Sequence, residues 1–290
     1  MLAYPVLQFA IFYVGVNFNS ILMAFQYFSR TEGAMDIYDF YTGADFFKNF
    51  TTFFDRFDTE PLFQNGYLFK NAFIAYGAAL LFTTPVSIIF SYYIFKKYPL
   101  HGMMKVVLFT PSIICGMVLV TIYKKLVDVV IPDIFGVTGL LSLLSPPSTQ
   151  FNTILFYCIW LGFGGGILLY VGAMNNISDS VIEACKLDGA NTIQEMYYIV
   201  LPLIYPTFVT FLVCGVGGIL TNQMGLYSFK GATASDEIQT FGYWFFKETK
   251  AASAKEYPGL AAIGILMTLI VAPITLAVKW ALEKYGPKID

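Results

Sequence analysis

Six times in this chain a long apolar stretch passes with scarcely a charge, at roughly 2–28, 67–95, 105–123, 153–174, 201–221 and 260–282. A helix of about 20 apolar residues matches the hydrocarbon thickness of a bilayer, and such runs are rare in soluble domains. Inside lipid every backbone donor must be satisfied within the segment, so each run reads as a helix. Composition agrees. Of the 290 residues 57% are hydrophobic and only 12% are charged, against about 25% charged in a soluble domain. The expected fold is an all-α integral membrane domain, residues 1–290, with six transmembrane helices. The first run is too long for a cleaved signal peptide and lacks a basic lead-in, so the chain is expected to begin later than its relatives do. Asn17 and Asn19 are the polar exceptions in that run, and hydrogen bonding to a neighbouring helix is the expected use.

The charges between the runs set the orientation. Lys96, Lys97, His101 and Lys105 crowd a turn of a few residues, and short basic loops stay in the cytoplasm. Six spans then put both termini on the cytoplasmic side. On the outer side, Ser29 to Gln64 carries seven acids against Arg30, Lys48 and Arg56, with many Phe and Tyr. It reads as an interfacial lid lying on the membrane surface. A second outer segment, Lys124 to Gln150, contains the run Leu140–Leu144, which suits a short interfacial helix.

Between the fourth and fifth runs lies a polar island, Ser178 to Pro206. Ser180 and Glu183 have the spacing of a capping box, and so do Thr192 and Glu195. Two short helices are therefore expected, separated by Gly189, where a positive φ would let the chain turn. The pair lies beside the membrane rather than across it.

The same stretch carries a resemblance. Glu183-Ala184-Cys185-Lys186-Leu187-Asp188-Gly189-Ala190, followed by Ile199-Val200-Leu201-Pro202, resembles the EAA motif of ABC importer permeases, and the whole layout is similar to the carbohydrate-uptake, maltose-type branch. Cys185 replaces the second alanine of the motif and is nearly as small. The resemblance implies the fold of type I ABC importer permeases, with residues 178–202 as a cytoplasmic loop that docks on an ATPase. It implies a second permease, two ATP-binding subunits and an extracellular solute-binding protein as partners, in a bacterial cytoplasmic membrane. ATP and magnesium would be bound by the partners, with no cofactor in this chain. The ridge from Glu183 to Asp188 is expected to make the ATPase contact, with Gly189 as its turn and Ala190 closing the motif.

Two stripes bear on what is carried. In the fourth run Gly162, Gly164, Gly165 and Gly166 lie near Tyr157 and Trp160. In the fifth, Gly215, Gly218, Ile219 and Asn222 fall on one helical face. Small residues allow close helix packing; equally, glycines, aromatics and an amide can wall a sugar cavity. Counting from the motif, Gly162 and Asn222 fall on positions that resemble substrate contacts in the maltose-type permeases. Neighbouring positions depart from that pattern, so the substrate need not be maltose. The expected substrate is a sugar, an oligosaccharide in particular, with glycerol phosphate-type solutes as runner-up. No basic residue lies in the last three runs before Lys279, which leans toward a neutral cargo.

Several classes are set aside. No G-x-x-x-x-G-K-[ST] stretch exists for a P-loop. No intramembrane acid pair supports an ion-coupled secondary transporter, and no convergent acid, base and nucleophile set supports an enzyme. Four cysteines and one histidine show no metal-site spacing. A net charge of −2 without a basic cluster offers nucleic acid nothing.

Overall fold

In the computed structural model, residues 3–32, 35–134, 143–144 and 147–287 are described. The expected interfacial helix at 140–144 lies, but for its last two residues, outside them. Four helices are long and apolar enough to cross a membrane, or up to six if each of two bent pairs is one span. In chain order the elements begin with α1 (Tyr4–Met23), a hairpin of β1 (Gln26–Glu32) and β2 (Met35–Phe40), and the amphipathic α2 (Lys48–Thr59), of which only α1 is long enough to span. Then come α3 (Tyr67–Phe95), the bent pair α4 (His101–Ile113) and α5 (Gly116–Ile134), and α6 (Thr149–Asn175). The polar island forms α7 (Asp179–Leu187) and the start of α8 (Thr192–Leu203), which bends by 65° into α9 (Tyr205–Gly218). α10 (Phe241–Ala251) and α11 (Tyr257–Tyr285) complete the chain.

Prolines account for much of the helix geometry. Wide turns at Ala79–Thr83, Leu126–Val130 and Met196–Val200 each end two residues before a proline, Pro85, Pro132 and Pro202. Proline donates no N–H and its ring crowds the carbonyl four residues back, so the helix widens by one residue there. In α3 the Thr84 hydroxyl reaches the Ala79 carbonyl at 3.3 Å, returning a partner to the loosened turn.

The third span departs from a straight 105–123 helix. It breaks at Ile114 and Cys115, both extended, and turns by 103°. Pro111 removes one donor, while Thr110 and Ser112 bond backward to the Val106 and Phe109 carbonyls, a competition that bends helices. The first helix ends at Met23, and residues 26–28 enter a strand instead of extending it to 28. Asn17 donates within its own helix, to the Tyr13 carbonyl at 2.6 Å, rather than to a neighbour.

The acid-rich segment is part sheet, part helix. β1 and β2 pair antiparallel from Gln26↔Phe40 to Glu32↔Met35, with an irregularity between Phe28 and Arg30. Tyr38 ties the hairpin to the Ala254 carbonyl, and α2 buries Phe53 against Phe63, Trp244 and α11. At that end the loop after α9 packs Tyr123, Tyr157, Phe229 and Tyr243 into a second core. At the opposite end α7 and α8 close over α3 and α6 through Ile88, Tyr92, Met174, Ile182 and Val200. The bundle thus has two packed ends, and a hollow of uncharged lining lies between them.

Candidate functional site

α7 begins with Ser178 extended at its N-terminus, and no side chain caps it. The expected Ser180–Glu183 box does not form, because the helix starts at Asp179 and Ser180 is already inside it, its hydroxyl 3.0 Å from that of Ser178. The second box forms one residue early. Asn191 accepts from the Gln194 amide and Gln194 returns the bond, both at 2.9 Å. That frees Glu195, which sequence spacing had placed in the cap, for a different role.

Helical period divides α7 into two faces. Ile182 and Cys185, three apart, turn inward and are buried. Glu183, Ala184 and Leu187 turn outward, and Lys186 and Asp188 are exposed beside them. Leu187 is 88% exposed, an apolar side chain at the crest of a polar ridge. So the exposed face is narrower than the Glu183–Ala190 stretch expected to dock: Cys185 seats the helix, and Ala190 is half-buried in the turn. Gly189 has φ +75°, the left-handed conformation that glycine takes without strain.

Glu195 is the residue that spacing alone misassigned. Its carboxylate is buried and receives the Lys96 ammonium at 2.7 and 2.8 Å. Tyr92 donates to the same carboxylate at 3.1 Å, and its oxygen also lies 3.1 Å from the Thr192 carbonyl. The C-terminal end of α3 is thereby fastened to α8. The pair also puts the basic turn at Lys96 and Lys97 at the same end of the bundle as α7. The signal in sequence was faint: a Lys and a Glu 99 residues apart, each in an otherwise ordinary polar stretch.

The hollow has a volume of about 480 Å³ and lies among α3, α6 and α9. Gly215, Gly218, Ile219 and Asn222 all line it, so the stripe read on the fifth span faces one cavity. From α6 come Gly162, Gly166 and Tyr170; from α3 come Tyr76, Thr83, Thr84 and Ser87. None of the lining side chains is charged. Asn222 also accepts from the Met224 amide at 2.8 Å, which holds the turn after α9.

Other expected members sit elsewhere. Tyr157 is buried in the core at the α2 end, its ring 5.0 Å from Tyr123 and 5.1 Å from Phe229. Trp160 is beside Tyr157 and outside the lining, and Gly165 faces open space on the far side of α6. The reason is period: on α6 the cavity face recurs at 162, 166 and 170, four residues apart, and 157, 160 and 165 fall off it. Tyr243 and Trp244, between the fifth and sixth runs, are buried.

The glycines of α6 also serve packing. A Cβ on Gly162 would come within 2.8 Å of Thr83 Cγ2, and one on Gly166 within 3.2 Å of the Ser87 oxygen. Across this close seam Thr83 and Ser87 donate to the carbonyls of Ile159 and Phe163 at 3.5 and 3.3 Å, and the Ser91 hydroxyl, which donates to the Ser87 carbonyl at 2.6 Å, lies 3.2 Å from the Ile167 carbonyl. Each hydroxyl lies four residues after the last, and so does each α6 carbonyl. Packing and cavity wall are therefore two sides of one stripe.

The family model described as the inner membrane component of binding-protein-dependent transport systems matches residues 83–290. This chain belongs to that family. Its members are transport permeases, and the apolar helices described above are those of a multi-pass inner membrane component. AmyD of Thermoanaerobacterium thermosulfurigenes, assigned to transport of starch degradation products, is 27% identical over 82% of this chain and 80% of its own length. YteP of Bacillus subtilis, a polygalacturonan and rhamnogalacturonan permease, is 25% identical over 80% of this chain and 74% of its own. MsmF of Streptococcus mutans, from a multiple sugar-binding system, is 20% identical over 58% and 59%. The permease fold is the same as in the crystal structure of a bacterial ABC transporter that imports the acidic polysaccharide alginate, with a TM-score of 0.77 at 21% identity over 98% of this chain and 94% of that one.

Proposed function

We propose that this inner membrane component is one permease subunit of a sugar importer. It passes a neutral oligosaccharide through the cavity bounded by α3, α6 and α9. A second, related permease closes the other side of the path, and an extracellular solute-binding protein delivers the cargo. Two ATP-binding partners supply the energy by gripping Glu183, Ala184 and Leu187 on the outer face of α7. The single observation that carries this is that ridge: a short helix seated on the bundle by Ile182 and Cys185, with a bare leucine at its crest. Apolar side chains at the crest of a rigid ridge are what a cleft on a partner can bury. Closure of the ATPase pair then moves the loop as a body and shifts the helices between inward and outward openings.

An uncharged cavity of this size, walled by tyrosines, hydroxyls and one amide, suits a polyol ring better than an anion. A glycerol phosphate-type solute would call for a cation or a helix N-terminus at the wall. The same geometry supports a cytoplasmic α7, since the basic turn at Lys96 shares an end with it and short basic loops stay inside. The first and last helices run to that end, which supports cytoplasmic termini.

Reconstitution tests the reading. The chain, assembled with its companion permease, ATPases and binding protein in vesicles, should hydrolyse ATP faster when the binding protein is loaded with a neutral oligosaccharide, and should accumulate that sugar. Stimulation by a charged solute and none by a glycan panel would reject the cargo assignment.

A further inference from the structure

The most completely buried ion pair among the described residues lies outside the ridge and outside the cavity, and the transport reading so far gives it no task. Lys96 and Glu195 meet at 2.7 Å with side chains 15% and 4% exposed. Tyr92, itself buried, closes the group: its hydroxyl donates to Glu195 and lies 3.1 Å from the Thr192 carbonyl. Burying two charges costs nearly as much as their attraction returns, so such a pair adds little stability over apolar replacements of the same shape. What it does fix is register: the carboxylate accepts from one ammonium and one phenol in a single geometry.

We infer that Lys96, Glu195 and Tyr92 are positioning residues that strap the docking loop to α3 and pass its movement to the cavity. The inference rests on the reading of α7 as the ATPase-binding ridge. α3 is suited to the task. Its inner end holds Tyr92 and leads into Lys96, while Thr83, Thr84 and Ser87, two to four turns back, line the cavity. Ser87 and Thr83 also bond to the backbone of α6, which forms the facing wall, and the Ser91 hydroxyl lies 3.2 Å from it. A pull on Glu195 therefore reaches one cavity wall directly and the other through this hydroxyl seam. α7 reaches the bundle mainly by apolar contacts of Ile182 and Cys185, which slide more readily than a charge-assisted bond. Without the strap, the loop can follow the ATPase while α3 stays behind.

The test uses the assembled importer with Leu187→Cys as a crosslinking reporter to the ATPase. Glu195→Gln and Lys96→Gln are compared with Tyr92→Phe, which removes one hydroxyl and keeps the ring in its packing. Crosslinking yield, binding-protein-stimulated ATPase activity and sugar accumulated per ATP are measured on each. The expected result is an unchanged crosslink, ATPase activity within about two-fold, and uptake per ATP lowered about ten-fold in the two Gln variants, within the usual range of coupling between sites. Tyr92→Phe should lower the same ratio by a smaller factor. A retained crosslink with an unchanged uptake per ATP in all three overturns the strap and leaves the docking reading standing. Should the Gln variants fail to assemble, an unchanged ratio in Tyr92→Phe overturns it alone. No crosslink in the otherwise native importer overturns the docking reading, and the strap with it.

Discussion

Gly189 is the position where one residue carries most. A Cβ there would meet nothing within 4 Å, so space is no obstacle; only the backbone angle, φ +75°, resists substitution. For a β-branched residue that conformation costs about 1–2 kcal/mol, and asparagine tolerates it far better. Gly189→Val should therefore insert normally but lose uptake per ATP, whereas Gly189→Asn should keep most of it. Equal behaviour of the two in a vesicle assay would mean that the turn does not set the coupling. Asn222 poses a different question, because its oxygen holds the Met224 amide while the residue lines the cavity. Asn222→Asp keeps that acceptor and adds a charge to an uncharged wall. Sugar uptake should fall several-fold while the amount of assembled complex stays the same; a loss of assembly alone would reduce Asn222 to a turn residue. At this scale the motif, the left-handed glycine and the stripe on the fifth span were legible. The caps were not, since Ser178 and Asn191 compete with Ser180 and Thr192 for the same helix starts and spacing cannot rank them.

Among elements, the seam between α3 and α6 is the most exacting. Gly162 faces Thr83 so closely that an added side chain must displace a short, stiff neighbour. Overpacking of this kind costs about 1–3 kcal/mol. Gly162→Val should lower the thermal midpoint of the purified protein by several degrees, read by loss of folded protein on heating in detergent. Gly165→Ala, which adds a methyl to open space on the same helix, should raise the midpoint slightly and leave uptake unchanged. A drop in uptake with Gly165→Ala would return that residue to the transport path. Apolar length made the helices readable in sequence, whereas the widened turns before Pro85, Pro132 and Pro202 emerge only in the structure. The break at Ile114 and Cys115 was hidden, because the stretch is as apolar as a straight span and only the hydroxyls flanking Pro111 hint at it. The hairpin was hidden too: Tyr27 and Phe28 continue the first apolar run, and Tyr38 and Phe40 read as aromatics of a membrane-surface lid, a role that does not distinguish strand from helix.

For the whole molecule, the two packed ends and the hollow between them describe a body that is fixed at its extremities and adjustable at its waist. Such a body can respond to a partner on one end only if its helices move as rods. The strap and the hydroxyl seam give α3 and α6 that character. α1 does not share it. No part of its most apolar window is buried within the chain, and it meets α11 mainly along its second half, where Asn17, Ser20, Ile21 and Met23 flank a shallow groove. Lipid provides no hydrophobic force to press a helix onto its own bundle. In a pulse-chase experiment, the chain made alone should turn over several-fold faster than the chain made together with its companion subunits; equal lifetimes would show that α1 is secured without them. A free-standing first helix also has a consequence for synthesis in the cell. Among the described helices it leaves the ribosome before the others, and its apolar window finds no cover within the chain. The abundance of this protein would then be governed by the supply of its companions, with surplus copies left to membrane proteases.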